Sequence, residues 1–272
     1  MKTKKQIVRS EAERKELVRR RIYSILPFLS LCLLVLLWIF VSGQQSASFP
    51  SPKDIWERFM RLLEKPIMRL SLWQHIWASL QRVFVALIAS WVLGISFGIL
   101  IGWNKKAKAL FGPLFTGLRA VPPLAWIPLI TIWFGIGEFP KVLVVFIGAV
   151  MSVVVNTQAG IQNVNQLYLN VGRIFHADKR QMLMQIAVPS ALDAIFAGIR
   201  TSTSAGWMVV LAAEMLGAKS GVGFLITRGM DSGDMSLVLL SMICIGLVGA
   251  ALAVLTQIIE GLVCPWKAKR SN

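Results

Sequence analysis

Ionisable side chains inside long apolar runs are the residues of this chain whose types could do chemistry. Arg200 is followed by four hydroxyl side chains, Thr201–Ser204, and Glu214 comes about 21 Å later along the same predicted helix. A charge within hydrocarbon must be paired or hydrated. Salt bridges to neighbouring helices would satisfy both charges. Alternatively, Arg200 would attract an anion in a hydrated cavity and Glu214 would belong to an outer gate.

Residues of this one apolar segment are therefore candidates for lining a path through a membrane; they are Arg200, Ser202, Ser204, Trp207 and Glu214. No acidic residue lies within one helical turn of Arg200, and Glu138 and Glu214 are predicted near the outer face. We therefore expect Arg200 to face water instead of an acidic partner. Trp207, deep in the segment, would either pack sideways against a neighbouring helix or line the path.

Motifs for catalysis, nucleotide binding and metal binding are absent from the sequence. The segment Gly217–Ser220 lacks the spacing of a phosphate-binding loop, so the chain is not expected to hydrolyse ATP by itself. Cys32, Cys244 and Cys264 are too far apart in the sequence for a CxxC site and lie mostly in apolar segments. We expect no catalytic residue, no metal site and no cofactor bound by this chain.

The composition excludes an ordinary soluble domain. Of the 272 residues, 56% are hydrophobic and 15% are charged, whereas soluble domains have about 25% charged residues. A bilayer is crossed by about 20 apolar residues in a helix. We predict an all-α polytopic membrane protein with about six transmembrane helices: Ile22–Val41, Val83–Trp103, Pro113–Gly137, Val142–Gly160, Ile186–Leu216 and Met235–Val263.

The distribution of Lys and Arg predicts the orientation, because basic residues concentrate in cytoplasmic connections. Nine precede the first span and three follow the sixth, which places both termini in the cytoplasm. The chain divides into a basic N-terminal segment (1–21), a membrane domain (22–263) and a cytoplasmic tail (264–272). Ser51 and Pro52 predict the start of a short helix outside the membrane. Membrane-flanking residues account for the net charge of +16, so no nucleic-acid partner is expected.

Glycines recur every four residues in the second predicted span. Gly94, Gly98 and Gly102 share one helix face, where they would allow another helix to approach closely. The pattern predicts helix packing.

The connection at 160–189 is predicted to be cytoplasmic. It is longer than a loop that only connects two transmembrane helices needs to be. Asp178 can cap a helix from Lys179 onwards, with Gln181 completing a capping box, and Pro189 is expected to stop or kink that helix. Phe175, Met182 and Ile186 would then form an apolar stripe facing away from Lys179 and Arg180. Such a helix could lie in the lipid interface or bind a partner.

The same connection resembles the EAA loop of bacterial ABC importer permeases, through Asn170-Val171-Gly172, His176-Ala177-Asp178 and Ile186-Ala187-Val188-Pro189. The wider chain is similar to the nitrate, sulfonate and taurine branch of that family. The similar segments are Phe49–Pro52, Ser79–Val83, Arg119–Leu129, Trp133–Glu138, Ala197–Arg200, Gly206-Trp207 and Ala212–Gly217.

This resemblance implies the permease subunit of an ATP-driven importer with the type I architecture, in the bacterial plasma (inner) membrane. It implies two ATPase subunits that bind ATP and Mg²⁺, a second permease in a homodimer, an extracytoplasmic substrate-binding protein, and surrounding membrane lipid. The substrate would be a small anion such as a sulfonate, taurine or nitrate. The residues that would couple to the ATPase are Asn170, Gly172, Phe175, His176, Ala177, Asp178, Lys179, Arg180 and Pro189. The alternatives are a secondary transporter and a non-transporting membrane assembly protein.

The loop also departs from the family pattern. Val171-Gly172 stands where the family has an alanine pair, and His176 where it has glycine. A glycine there would allow a positive φ, which costs histidine more. His176 would be either an ordinary turn residue or a pH-sensitive contact.

Overall fold

Helices dominate this computed structural model, which describes residues 23, 26, 28–44 and 49–264. The α-helices are α1 (Phe28–Gln44), α2 (Pro52–Glu64), α3 (Leu72–Trp103), α4 (Lys105–Arg119), α5 (Ile127–Phe134), α6 (Glu138–Gln162), α7 (Gln166–Ile174), α8 (Lys179–Gln181), α9 (Val188–Met215), α10 (Val222–Asp231) and α11 (Met235–Val263). A 3₁₀ turn, Pro123–Trp126, precedes α5, and a π turn, Met182–Ala187, joins α8 to α9. The basic segment 1–21 and all but the first residue of the tail 264–272 lie outside the described residues.

The predicted all-α multi-pass membrane fold is confirmed. In the described part of the chain, four helices are long and apolar enough to cross a membrane: α3, α6, the continuous helix Lys179–Met215, and α11. A bent pair would make a fifth span, and α1 is a shorter apolar helix within the first predicted span. The sixth predicted span coincides with α11.

The third predicted span is not a straight helix. The helix α4 begins at Lys105 and continues through Pro113, and it ends before Pro122 and Pro123. It meets the segment Pro123–Phe134 at a bend of 88°. Two prolines in succession remove two backbone N–H donors and disfavour helical geometry in the preceding residue, so the helix ends here.

Pro189 does not stop the fifth span, which rules out one of the two outcomes expected there, a stop or a kink. The helix runs without a break from Lys179 to Met215. Immediately before the proline, the Val188 N–H donates to the carbonyl of Leu183, five residues back. This wider π turn accommodates a residue that has no N–H and would clash with the carbonyl four residues back in a regular α-helix.

The core lies where α6 packs between α3 and α9. Close approach of α3 to α6 is possible because the facing residues of α3 are glycines. A Cβ built on Gly98 would lie 2.6 Å from the Cβ of Thr157, and one on Gly94 would lie 2.9 Å from the Cβ of Val153. Gly102 faces Ile161 in the same way. These helix axes are therefore held at a separation that a larger side chain would increase.

The described chain divides into two compact units after Arg58. In the first unit, the Trp38 indole donates to the carbonyl of Pro50 at 3.0 Å and lies edge-on against Phe49. The helix α2 begins at Pro52, as predicted, and Ser51 and Asp54 cap it reciprocally.

Candidate functional site

The connection between α6 and α9 contains a helix end that requires a left-handed residue. After α7, the amide of His176 donates to the carbonyl of Arg173, and the amide of Ala177 donates to that of Gly172. This pair of bonds is a Schellman motif, whose left-handed position is usually glycine. Here that position is His176, with φ of +53°. The positive φ inferred from the sequence is present in the backbone.

The turn leads directly into a capped helix. The amide of Gln181 donates to Asp178 Oδ1 at 2.6 Å, and the amide of Asp178 donates to Gln181 Oε1 at 2.9 Å. This is the expected capping box, and it sets the direction in which α8 leaves the turn. Lys179 and Arg180 are exposed in its first turn, and Asn170 on α7 is exposed and accepts from Arg173. Pro189 is exposed further along the same helix.

The expected apolar stripe is divided between two environments, which corrects the prediction. Met182 and Ile186 pack onto α7, where a Cβ on Gly172 would lie 2.6 Å from the Met182 sulfur and 2.5 Å from Ile186 Cδ1. Phe175 is 80% exposed and does not join them. The turn at His176 separates Phe175 from the helix, so helical spacing does not apply across it. Phe175 instead belongs to an exposed apolar surface on α7 together with Leu167, Tyr168, Val171 and Ile174.

The helix α9 carries an uncovered polar stripe. Thr201 and Ser204 are exposed, and the Arg200 side chain is 38% exposed. Both hydroxyls donate to carbonyls of their own helix, so their hydrogen-bonding capacity is partly met. Met208 continues the exposed stripe one turn later, with 72% exposure. Uncovered hydroxyl groups beside a guanidinium are rare on a membrane helix unless another protein surface or water covers them.

Arg200 has an acidic partner, contrary to the sequence-based expectation. Its Nη1 donates to Glu260 Oε2 at 2.9 Å, and the Glu260 side chain is 7% exposed. Glu260 belongs to α11, sixty positions further along the chain. The apolar surroundings of Glu260 were a usable signal, because an ionisable residue within a membrane helix calls for a partner.

Ser202 and Trp207 lie inside the helix bundle. Ser202 is fully buried and accepts from the Trp91 indole at 3.0 Å. Trp207 is 5% exposed, donates to the carbonyl of Ile245, and covers Gly249 of α11. Trp207 therefore packs sideways against α11, which is one of the two roles expected for it from the sequence. Arg200 and Ser204 are thus the candidate path residues that reach the surface of the described chain.

Glu214 is enclosed in a polar network at the end of α9 far from α8. It is 0% exposed, and its partner is Arg82 of α3, which is 5% exposed. Arg82 also forms a bidentate pair with Glu138 and donates to the carbonyl and hydroxyl oxygens of Ser220. These contacts use all five guanidinium donors. Arg82 therefore joins α3, α6, α9 and the loop before α10.

The same network caps α10. Glu214 Oε2 accepts from the amide of Gly223 at 3.0 Å and from the Ser79 hydroxyl at 2.8 Å. The Ser79 oxygen in turn accepts from the amide of Val222 at 2.9 Å. A carboxylate and a hydroxyl at a helix N-terminus satisfy amides that have no partner within the helix. Glu214 thus has no contact with an open path in the described chain, and the gate role remains a hypothesis.

Two further residues complete the network. His75, fully buried, accepts from the amide of Gly221 at Nδ1, so its Nε2–H donates to the carbonyl of Ile67. The Lys141 ammonium donates to Glu138 at 3.0 Å. Arg82 lies one residue before the second predicted span, which begins at Val83. The sequence alone therefore predicts a position outside the membrane, where an arginine needs no partner.

Comparison with known proteins adds independent evidence. Residues 92–269 match the family described as the binding-protein-dependent transport system inner membrane component. A nitrate import permease protein of Synechocystis sp. is 34% identical over 248 residues, which cover 89% of this chain and 90% of the relative. A taurine transport system permease protein of Escherichia coli is 30% identical over 241 residues, 87% of this chain and 88% of the relative.

The fold is also found among solved structures. A MetNI methionine ABC transporter in an inward-facing conformation superposes with a TM-score of 0.61 at 18% identity, over 71% of this chain and 95% of that chain. At this identity the likeness supports the fold alone. The family match decides against the alternatives of a secondary transporter and a non-transporting assembly protein. The chain belongs to the family of binding-protein-dependent transport system inner membrane components and is a permease subunit of an ABC importer.

Proposed function

We propose that this permease imports a small anion along a path formed between two copies of the chain. The observation that carries the proposal is the uncovered stripe of α9 with Arg200, Thr201 and Ser204. The two relatives are named for the import of nitrate and for the transport of taurine, and both molecules carry an oxyanion group. A guanidinium binds such oxygens through directed N–H donors.

The position of the stripe argues for a partner surface. If the permease were alone in lipid, the guanidinium and two hydroxyls of this stripe would meet hydrocarbon, which is strongly disfavoured. A second copy would cover the stripe, and water between the copies would hydrate it. We therefore expect the path at the subunit interface, with Arg200 and Ser204 of each copy lining it. Ser202 and Trp207 support α9 from inside the bundle.

The connection around α7 and α8 is the proposed docking surface for an ATPase subunit. It presents the exposed Phe175 beside the exposed cations Lys179 and Arg180, on a turn whose direction is set by hydrogen bonds. The complex would contain two ATPase subunits, two permeases and an extracytoplasmic substrate-binding protein. ATP and Mg²⁺ would bind to the ATPase subunits, and both termini of the permease would lie in the cytoplasm.

The test of the anion proposal must distinguish a loss of anion transport from the destabilisation caused by breaking the ion pair. Arg200→Gln alone removes the Arg200 guanidinium from the nearly enclosed Glu260 carboxylate, which is expected to destabilise the protein. The double variant Arg200→Gln/Glu260→Gln removes both charges and is expected to assemble. We expect it to retain ATPase activity and to lose at least tenfold in the uptake of nitrate or taurine, whichever the unaltered complex imports. Unaltered uptake by the assembled double variant would refute the proposed role of Arg200.

A further inference from the structure

The pair formed by Arg200 and Glu260 is asymmetric. The Glu260 carboxylate is nearly enclosed, with 7% of its side chain exposed, whereas the Arg200 side chain is 38% exposed. Arg200 has five N–H donors, and within the described part of the chain its side chain donates one bond, from Nη1 to Glu260. The carboxylate is thus nearly enclosed, and the partly exposed guanidinium has donors left for a further partner.

We propose that Glu260 is a specificity-determining residue, a fixed counter-charge that makes the Arg200 site bind monovalent oxyanions weakly and disfavour divalent ones. This inference rests on the proposed function, because it assumes that the stripe lines a hydrated anion path. Glu260 itself does not touch the substrate. It acts by setting the net charge of the pair to zero while Arg200 keeps its N–H donors.

The physical reason is that a transport site must release what it binds. An unpaired guanidinium in a poorly hydrated path would hold an anion strongly, because the attraction between opposite charges grows as the effective dielectric constant falls. With Glu260 paired to it, the guanidinium still forms short hydrogen bonds, but the long-range field of the pair largely cancels. A divalent anion loses more hydration free energy than a monovalent one on entering the path. Its attraction to the neutral pair is then too weak to offset that loss.

The local field can be measured without transport, by the chemistry of a thiol placed beside Arg200. Ser204 is exposed and lies one turn from Arg200, about 6 Å along the helix axis. Ser204→Cys is introduced into the full transporter complex after Cys32, Cys244 and Cys264 have been changed to Ser. The measured quantity is the ratio of its modification rates by a sulfonate-bearing and a trimethylammonium-bearing methanethiosulfonate of similar size.

Removing the counter-charge should raise this ratio. In Glu260→Gln the unopposed guanidinium attracts the anionic reagent and repels the cationic one, and we expect an increase of about tenfold. Glu260→Asp keeps the charge and should retain the original ratio. Arg200→Gln/Glu260→Gln removes both charges and should return the ratio close to the original value. Asp231→Asn, an exposed acid on α10, is the matched control and should change nothing.

Anion selectivity is read by protection of the same thiol. With Glu260 present, nitrate should slow modification at lower concentrations than sulfate does. In Glu260→Gln the order should reverse, because sulfate gains more from the unopposed positive charge. An equal ratio and the same protection order with and without the Glu260 charge would overturn the counter-charge inference and leave the path intact. Failure of both reagents to modify the thiol in the assembled complex would instead show that the stripe is not hydrated, which would overturn the proposed path itself.

Discussion

Arg82 of α3 and Glu214 of α9 form a buried ion pair that joins two helices distant in sequence, with side-chain exposures of 5% and 0%. Arg82 also holds Glu138, and Glu214 also caps α10. Every donor of the guanidinium is used. This pair therefore stabilises its end of the helix bundle, and removing it should lower the free energy of unfolding.

Removing one member of this pair should destabilise the permease strongly. Arg82→Gln leaves Glu214 buried with its charge unpaired, so we expect the free energy of unfolding to fall by about 3–5 kcal/mol. The measurement is equilibrium unfolding of the purified chain in mixed micelles. Arg228→Gln, at an exposed arginine on α10, is the matched control and should stay within about 0.5 kcal/mol. Arg82→Gln/Glu214→Gln should cost less than the sum of its two single changes; strict additivity would argue against a coupled pair.

The turn before α8 should be stabilised by glycine. His176 adopts a φ of +53°, which costs a residue with a Cβ about 1 kcal/mol. His176→Gly should therefore slow hydrogen exchange of the Ala177 amide, which bonds to the Gly172 carbonyl, by about fivefold. His176→Ala retains the Cβ and should show no such protection. Equal protection in both variants would mean that the histidine side chain, and not the backbone conformation, determines the stability of the turn.

Close contact between α3 and α6 predicts a difference between two glycine substitutions. In Gly98→Ala the new Cβ would lie 2.6 Å from the Thr157 Cβ, so we expect a loss of about 1–3 kcal/mol in the free energy of unfolding. Gly246→Ala on α11 meets nothing within 4 Å and should be neutral or gain up to about 1 kcal/mol from helix propensity. Thermal unfolding of the purified variants would measure both. A stable Gly98→Ala chain would show that the two helices are not held at this separation.

The exposed surface of α7 and α8 should be required for binding the ATPase subunit. Phe175→Asp, or Lys179→Glu combined with Arg180→Glu, should leave membrane insertion intact and weaken co-purification of the ATPase by at least tenfold. These side chains are exposed, so their replacement leaves the core unchanged. Lys108→Glu, an exposed change in another connection predicted to be cytoplasmic, is the control. Undiminished association in all of these variants would favour the alternative that the segment lies in the lipid interface.

The orientation can be tested separately with reporter fusions. We expect fusions after Lys108 and after Arg180 to report the cytoplasm, because the connections rich in Lys and Arg are retained there. Fusions near Lys65 and near Ser232 should report the outside. An external signal at Arg180 would contradict docking to a cytoplasmic ATPase.

Local features of this protein were predictable from neighbouring residues. The start of α2 at Pro52 and the capping box of Asp178 depend on hydrogen bonds within a few positions, and the limits of α11 follow from one long apolar run. The left-handed turn at His176 was expected from the resemblance to the family, which has glycine at that position. For Pro189 the same local reasoning left a stop or a kink open, and the stop does not occur. A proline usually ends a helix, but the π turn just before it allows the chain to continue.

Composition and spacing by themselves determined that the chain spans a membrane, where most of its long apolar helices lie, and which face of α3 permits close packing, because those properties depend on hydrophobicity and periodicity along one helix. Only the tertiary structure decided the partners of the charges. Arg200 meets Glu260, and Arg82 meets Glu214, across 60 and 132 positions of sequence. Helical periodicity specifies the direction of a side chain around its own axis, but the residue it reaches depends on how separate helices are rotated and shifted against each other, and that is set by packing over the whole bundle.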